Sequence, residues 1–150
     1  MKQFALLVVI CLISISLFSQ TTEDSVKAAV NKLFEGMKNS DPALITASFA
    51  DSAVLQTIGT SREGKTIIRN EKVSEFAESV SKSAKGDLDE RIEYGSIKID
   101  GALASVWTPY KFYYKGQFSH CGVNSFQLVR INGAWKIQYL IDTRRKQPCE

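Results

Sequence analysis

The residues that could do chemistry gather in the last third of the sequence. His120, the only histidine, lies beside Cys121, and Asp142 and Cys149 follow further along. His, Cys and Asp are metal-ligand types, but this group has neither a helical i, i+4 pair nor a CxxC spacing, so we predict no metal site. The sequence also has no glycine-rich phosphate loop and no Gly-x-Ser-x-Gly elbow, and we predict no cofactor.

The N-terminus predicts a secretory signal peptide over residues 1–19. Lys2 is followed by an almost uninterrupted apolar run from Phe4 to Phe18 and by the small residue Ser19. The run is shorter than the roughly 20 residues of a bilayer-spanning helix, so we expect cleavage and no stable membrane insertion afterwards. Residues 20–150 then form a single domain, secreted or periplasmic in a bacterium.

The charge balance argues against a nucleic-acid partner. The sequence has 19 Lys and Arg against 16 Asp and Glu, a formal net charge of +3, and loss of Lys2 with the signal lowers it by one. The basic run Arg144-Arg145-Lys146 is short and typical of a solvated strand end. We expect instead a small-molecule ligand, whose identity the sequence does not give.

Three helices are predicted ahead of the long strands. Thr21 and Asp24 have the spacing of a capping box before apolar residues at helical intervals. Asp41 and Pro42 predict the start of a second helix. A third helix is predicted to begin at a cap on Asn70 and to end at Gly86.

The second half of the sequence predicts antiparallel strands. Asp100-Gly101, Lys115-Gly116 and Asn132-Gly133 have the composition of tight hairpin turns. Gly95 and Pro109 interrupt the strand pattern and predict bulges. The predicted class is α+β, a cone-shaped curved antiparallel sheet with three N-terminal helices packed on its concave face.

Counting from the two-residue turns gives a strand register, and the register separates two faces. It pairs Lys111 with His120 and Val123 with Asp142. The face predicted to meet the helices carries Trp107, Lys111, Tyr113, His120, Asn124, Phe126, Leu128, Trp135, Ile137 and Tyr139. The opposite face carries Val106, Tyr110, Phe112, Tyr114, Cys121, Val123, Leu140 and Asp142.

Polar side chains beneath a helical cover need partners or water. Together with the curved sheet, they predict an apolar-based pocket with a few polar groups at its mouth. The predicted ligand-binding residues are Trp107, Lys111, Tyr113, His120, Asn124 and Tyr139. The alternative is a closed core in which His120 and Asn124 bond to each other.

The order of elements resembles the nuclear-transport-factor-2-like superfamily. The resemblance lies in Phe49–Val54 (FADSAV) after the second helix and in Gly133–Ile137 (GAWKI) of the last strand. Trp107–Tyr110 (WTPY) and Ser119–Gly122 (SHCG) resemble its bacterial branch of lumazine-binding-like and polyketide-cyclase-like domains. The resemblance covers residues 20–150. The superfamily contains isomerases, dehydratases and cyclases as well as binders without catalysis, so it implies the fold more strongly than a reaction.

The resemblance also implies roles for a catalytic set. His120 would be the general base, Tyr113 or Tyr139 the hydrogen-bond donor and Asp142 the residue that orients the histidine. The predicted register turns Asp142 away from His120, unless a one-residue bulge brings it round. We therefore predict a binding domain, with a cofactor-free isomerase, dehydratase or cyclase using His120 as the alternative.

Two further expectations concern covalent and subunit contacts. Cys121 and Cys149 would pair in an oxidising compartment only if the fold brings their Cα atoms within bonding distance, so both states stay open. Large apolar residues on the predicted outer face, Tyr110 and Phe112 among them, favour a homodimer through that face. The alternative is a monomer whose C-terminal tail crosses it.

Overall fold

The computed structural model describes residues 21–149, and the predicted signal peptide lies outside them. The helices are α1 (Thr22–Asn39), α2 (Pro42–Ser48) and α3 (Val73–Ser81). The strands are β1 (Phe49–Thr60), β2 (Thr66–Glu71), β3 (Leu88–Ile92), β4 (Ser96–Asp100), β5 (Leu103–Tyr114), β6 (Gln117–Ile131) and β7 (Ala134–Thr143). Within this part of the chain, none of the helices combines the length and apolar character needed to cross a bilayer.

The first two helices begin at the predicted caps. The backbone N–H of Asp24 donates to Thr21 Oγ1 over 3.1 Å, and the N–H of Leu44 donates to Asp41 Oδ1 over 2.9 Å. The third helix begins at Val73 rather than just after Asn70, because the residues up to Glu71 pair with β1 as strand β2. It also ends at Ser81, before the predicted stop.

The sheet order is β2-β1-β7-β6-β5-β3, with β4 beside β5. All pairings are antiparallel except β1 with β7. The parallel pair arises because β1 enters the sheet beside the last strand, an arrangement that the wholly antiparallel prediction missed. The predicted α+β class, three helices on a curved and mostly antiparallel sheet, is confirmed.

Two β-bulges shift the predicted register by one residue. Ser119 is the extra residue in β6, so His120 pairs with Phe112 rather than with Lys111. Gln138 is the extra residue in β7, so Asp142 pairs with Asn124 rather than with Val123. A one-residue slip turns every later side chain to the other face. The predicted faces of β5 and of the second half of β7 are therefore wrong.

The inner face that results is closed by α1 and α3. Val26, Val30 and Leu33 of α1 are at most 1% exposed. The core beneath the helices is formed by residues of both sheet and helices: Phe49, Leu55, Ala77, Val80, Ala104, Val106, Phe126, Leu128, Trp135, Ile137 and Leu140. Val106, Tyr110 and Leu140 were predicted on the outer face, and the bulges bring them into the interior.

The irregularity predicted at Gly95 and Pro109 lies where β3 gives way to β4. The backbone N–H of Gly95 donates to the Trp107 carbonyl over 3.0 Å, and that of Glu93 donates to the Pro109 carbonyl over 2.9 Å. Pairing with β5 changes by one residue across this break, from Ile92 opposite Tyr110 to Ser96 opposite Trp107. The two short strands therefore cover successive halves of β5.

Candidate functional site

A small chamber of about 60 Å³ lies between the inner face of the sheet and helices α1 and α3. Its apolar wall is formed by Leu33, Phe34, Met37, Leu55, Phe76 and Leu140. Its polar wall is formed by Thr57, Glu71, Glu90, Tyr110, His120, Asn124, Asp142 and Arg144. An apolar enclosure with a few converging polar groups is typical of small-molecule sites.

Glu90 is the most unusual residue of this chamber. It alternates with Leu88 and Ile92 along β3, which places its carboxyl on the inner face of the sheet. Asn124 Nδ2 donates to Glu90 Oε1 over 2.8 Å. Burial, reinforced by the negative charge of Asp142, raises the pKa of Glu90 to about 7, although the bond from Asn124 opposes the rise. The carboxyl can therefore gain or lose a proton near neutrality.

Glu90 was not among the predicted site residues. The signal that could have found it is the alternation Leu88-Glu90-Ile92, a charged residue at an apolar position of a two-residue period. A solvated strand edge explains the same pattern, so only the fold distinguishes the two. Tyr110 and Arg144 also line the chamber without having been predicted there, because the missed bulges turned their strands to the wrong face.

Asp142, in contrast, is held by partners on three sides. Thr57 Oγ1 donates to its Oδ1 over 2.5 Å, and Arg144 Nε donates to its Oδ2 over 2.8 Å. The hydroxyl of Tyr110 lies 3.3 Å from the same Oδ2. Two donors, the guanidinium charge and the nearby Tyr110 hydroxyl balance this buried carboxylate. Asp142 therefore acts as an anchor for neighbouring side chains.

The side chain of Tyr110, on β5, extends across β6 above Gly122 and reaches Asp142 on β7. Its hydroxyl donates to the Thr143 carbonyl over 2.9 Å. A Cβ at Gly122 would lie 2.9 Å from Tyr110 Cε1 and would overlap the Thr143 carbonyl oxygen. Glycine is therefore the residue that lets the ring and β7 approach each other. Burial and the nearby Asp142 raise the pKa of Tyr110, so its hydroxyl keeps its proton as a donor.

His120 faces the chamber from the next position along the inner face of β6. Its ring packs against Phe112 with centroids 4.9 Å apart, and its Nδ1 lies 3.1 Å from Ser119 Oγ. Burial and then the positive charge of Arg144 lower the pKa of His120, against the opposite effect of Asp142. The imidazole is thus uncharged at neutral pH and is available as an acceptor or a donor.

The predicted site residues divide between the two faces. His120, Asn124 and Asp142 come together in the chamber, so the bulge needed to bring Asp142 round is present. The other predicted residues, Trp107, Lys111, Tyr113 and Tyr139, are absent from the chamber wall. Trp107 is 49% exposed, and Lys111 lines an open pocket with Phe118 and the C-terminal residues 146–149. The prediction of a pocket wall formed by Trp107, Lys111, Tyr113 and Tyr139 is therefore wrong, and the chamber has other residues in their place.

The C-terminal segment fixes one end of the chamber. Cys121 and Cys149 form a disulfide with their Cα atoms 5.9 Å apart. Cys121 and Arg145 also exchange two backbone hydrogen bonds of 2.9 Å. These links hold the chain immediately after Arg144, which in turn keeps the guanidinium beside Asp142. Oxidation of the cysteines and the position of the Arg144 side chain are thus connected.

A groove of about 520 Å³ adjoins the chamber on the side of β1, β2 and the start of α3. Leu55 and Glu71, opposite each other on β1 and β2, line both spaces. The Glu71 side chain as a whole is exposed, but partial burial of its carboxyl raises the pKa of that group, while Arg144 acts in the opposite direction. Two side chains therefore separate the groove from the chamber.

Among residues 21–149 no three His, Cys, Asp or Glu side chains are placed to share a metal ion.

Solved structures similar to this chain include nuclear-transport-factor-2-like and cystatin-like domains. A nuclear-transport-factor-2-like protein from Shewanella baltica superimposes with a TM-score of 0.63 at 15% identity, covering 82% of this chain and 93% of its own. A similar protein from Methylobacillus flagellatus gives 0.64 at 15% identity, with 86% and 96% covered. A cystatin-like domain from Nostoc punctiforme gives 0.65 at 16% identity, with 85% and 81% covered. All three are described as of unknown function, and at this identity they show the fold alone.

The family follows from the sequence match. Residues 21–139 match the family described as "Putative lumazine-binding". The chain belongs to this family, and the predicted superfamily is confirmed. No curated protein matches the chain. The family description points to binding of a small molecule as the class of function to consider.

Proposed function

We propose that this protein binds a small molecule in the chamber lined by Glu90, His120 and Asn124. The observation that carries the proposal is Glu90, a partly buried ionisable side chain that lines the chamber and has one hydrogen-bond partner among the described residues. Burying a carboxylate without full compensation costs stability, and such residues concentrate at functional sites. The family match supports the same class of function.

Identification of a copurified ligand tests the binding function. Native mass spectrometry of the protein isolated from its own organism is expected to show an adduct of constant mass. Phe34→Trp, which adds volume at the chamber wall, should remove the adduct, whereas Trp107→Phe on the exposed face should keep it. Equal occupancy of the two variants would place the ligand elsewhere and contradict the proposal.

A second candidate function is cofactor-free proton transfer, as in an isomerase, dehydratase or cyclase. Glu90 is a stronger candidate than His120 for the general base, because burial raises the pKa of its carboxyl to about 7. Phe112 pairs with Glu90 on one neighbouring strand and with His120 on the other. His120 would act as the second proton carrier. Solvent deuterium entering the copurified compound, and ceasing to enter with Glu90→Gln, would support catalysis. Unchanged exchange in that variant would contradict it.

We also propose that the protein is exported with loss of residues 1–19. The sequence argument for the signal peptide supports this, and the disulfide between Cys121 and Cys149 suits an oxidising compartment. The intact mass of the protein from its native source checks the proposal. A mass that includes residues 1–19 would contradict it.

For the oligomeric state, we propose a homodimer that forms through the outer face of the sheet. The bulges change its composition: Trp107 and Phe118 are 49% and 45% exposed there, whereas Tyr110 lies in the interior. Exposed aromatic side chains on one sheet surface are typical of an interface. Sedimentation at micromolar concentration should give about twice the monomer mass.

Trp107→Glu should reduce the sedimenting mass to that of a monomer without unfolding the domain. Ile68→Glu is the matched control, because Ile68 is 58% exposed on β2, at the opposite edge of the sheet from β5. A monomeric wild-type protein would refute the dimer. Equal dissociation by both variants would show that the interface lies elsewhere.

A further inference from the structure

We propose that the ligand is an organic ammonium compound, with its cationic head in the chamber and an apolar chain in the adjoining groove. This inference rests on the proposed binding function and adds the chemical class of the ligand. Its two parts depend on separate observations. The charge and aromatic character of the chamber determine the head, and the walls shared with the groove determine the chain.

Unbalanced negative charge is the first argument for a cation. Three carboxyl groups, Glu71, Glu90 and Asp142, line the chamber with one guanidinium, Arg144. Arg144 and Asp142 form an ion pair of 2.8 Å and offset each other. Because His120 is uncharged, Arg144 is the one positive charge among the residues that line the chamber, and it faces three carboxyl groups. A cation entering there would be attracted, and a carboxylate would be repelled.

The groups around Glu90 fit an ammonium head in detail. Asn124 donates to Glu90 Oε1, and no hydrogen bond from residues 21–149 reaches the second oxygen, Oε2. Phe34, Phe76 and Tyr110 contribute aromatic rings to the same chamber. Carboxylate oxygens accept from N–H groups, and aromatic faces attract cations within about 6 Å. A chamber that combines this free acceptor with three aromatic rings in its lining is therefore suited to a primary ammonium group.

The size of the chamber requires the remainder of a larger ligand to lie outside it. About 60 Å³ is space for only a few non-hydrogen atoms, since a water molecule in the liquid occupies about 30 Å³. The groove beyond Leu55 and Glu71 provides about 520 Å³. Its apolar lining consists of Phe49, Ala50, Ala53, Val54 and Val73. Glu71 is exposed, so its side chain can turn aside to connect the two spaces.

Titration with simple amines tests the inference. Methylamine, butylamine and hexylamine are added at pH 8 to isotopically labelled protein, and the side-chain amide resonances of Asn124 report occupancy of the chamber. Hexanol and hexanoate are the neutral and anionic probes of matched length. Hexylamine is expected to bind at least tenfold more tightly than hexanoate, and affinity should rise from methylamine to hexylamine.

Two variants separate the head from the chain. Glu90→Gln should weaken hexylamine at least tenfold and leave hexanol unchanged, since it removes charge but retains an acceptor for Asn124. Val54→Asn in the groove should abolish the increase of affinity with chain length, and Val129→Asn on β6, outside the groove lining, should not.

The outcomes distinguish this inference from the function on which it rests. Binding of hexanol or hexanoate at the Asn124 resonances with equal or higher affinity than hexylamine would overturn the cationic class and keep the chamber as a binding site. An affinity independent of chain length would overturn the role of the groove. If none of the probes moved these resonances, both the inference and the chamber as a binding site would be refuted.

Discussion

Gly122→Ala is expected to destabilise the domain by about 4 kcal/mol or more, or to prevent its folding altogether. The added Cβ would overlap the carbonyl oxygen of Thr143, and a backbone atom cannot move away as a flexible side chain can. Relieving the overlap would separate β6 from the end of β7. That movement would break the backbone bonds between Cys121 and Arg145.

Urea denaturation followed by circular dichroism measures this loss. Gly59→Ala is the matched control, because a Cβ at Gly59 would have its nearest neighbours at 3.8 Å, an ordinary contact. The control should remain within about 1 kcal/mol of the wild-type protein. A stable Gly122→Ala protein with unchanged hydrogen bonding of Tyr110 would show that the approach of β7 to β6 is looser than described.

Gly122 also shows which parts of the fold can be predicted from sequence. Signals that act within three or four residues were sufficient for the caps at Thr21 and Asp41. The turn Asn132-Gly133 likewise fixed the first pair of its hairpin, Ile131 with Ala134. The close approach at Gly122 depends on Tyr110 and Thr143, which lie on other strands, so nothing local in the sequence indicates it.

Bulges limit how far a register can be extended from a turn. Residues of β7 before Gln138, such as Trp135 and Ile137, lie on the predicted inner face, and those beyond it are reversed. The bulge at Ser119 reverses β5 in the same way, which explains the wrong placement of Trp107 and Lys111. Neither bulge contains a glycine or another local marker. The position of each bulge is set by packing between neighbouring strands, and the sequence of a single strand carries no information on that packing.

Strand β6 was assigned correctly from His120 onward, whereas Phe118, before the bulge, was predicted on the inner face and lies on the outer one. His120 and Asn124 share an uninterrupted alternation with the buried residues Phe126 and Leu128, so their inner-face assignment was correct. His120 and Asn124 could therefore be placed on the chamber wall from the sequence. Glu90, Tyr110 and Arg144 could not, because their positions depend on pairings across the two bulges and on the position of β3 at the sheet edge.

Glu90→Gln is expected to raise the free energy of unfolding at pH 8 by about 3 kcal/mol and at pH 5 by less than about 1 kcal/mol. The pKa of Glu90 is about 7 in the folded protein, against an ordinary value of 4.5. Between these values the unfolded chain loses the proton first, so the wild-type protein loses stability as the pH rises. Above about pH 7 the folded carboxyl is also ionised and the penalty is complete. Glutamine has no charge and removes it.

Thermal and urea unfolding at both pH values measure the difference between Glu90→Gln and the wild-type protein. Glu93→Gln is the control, since Glu93 is exposed and removing its charge should change the stability equally little at pH 5 and pH 8. An equal effect of Glu90→Gln at both pH values would mean that the carboxyl is not buried as described. A stability gain confined to high pH would show that the chamber retains a costly negative charge when empty. An ammonium ligand would then offset that cost, and its binding should stabilise the wild-type protein more than the Glu90→Gln variant.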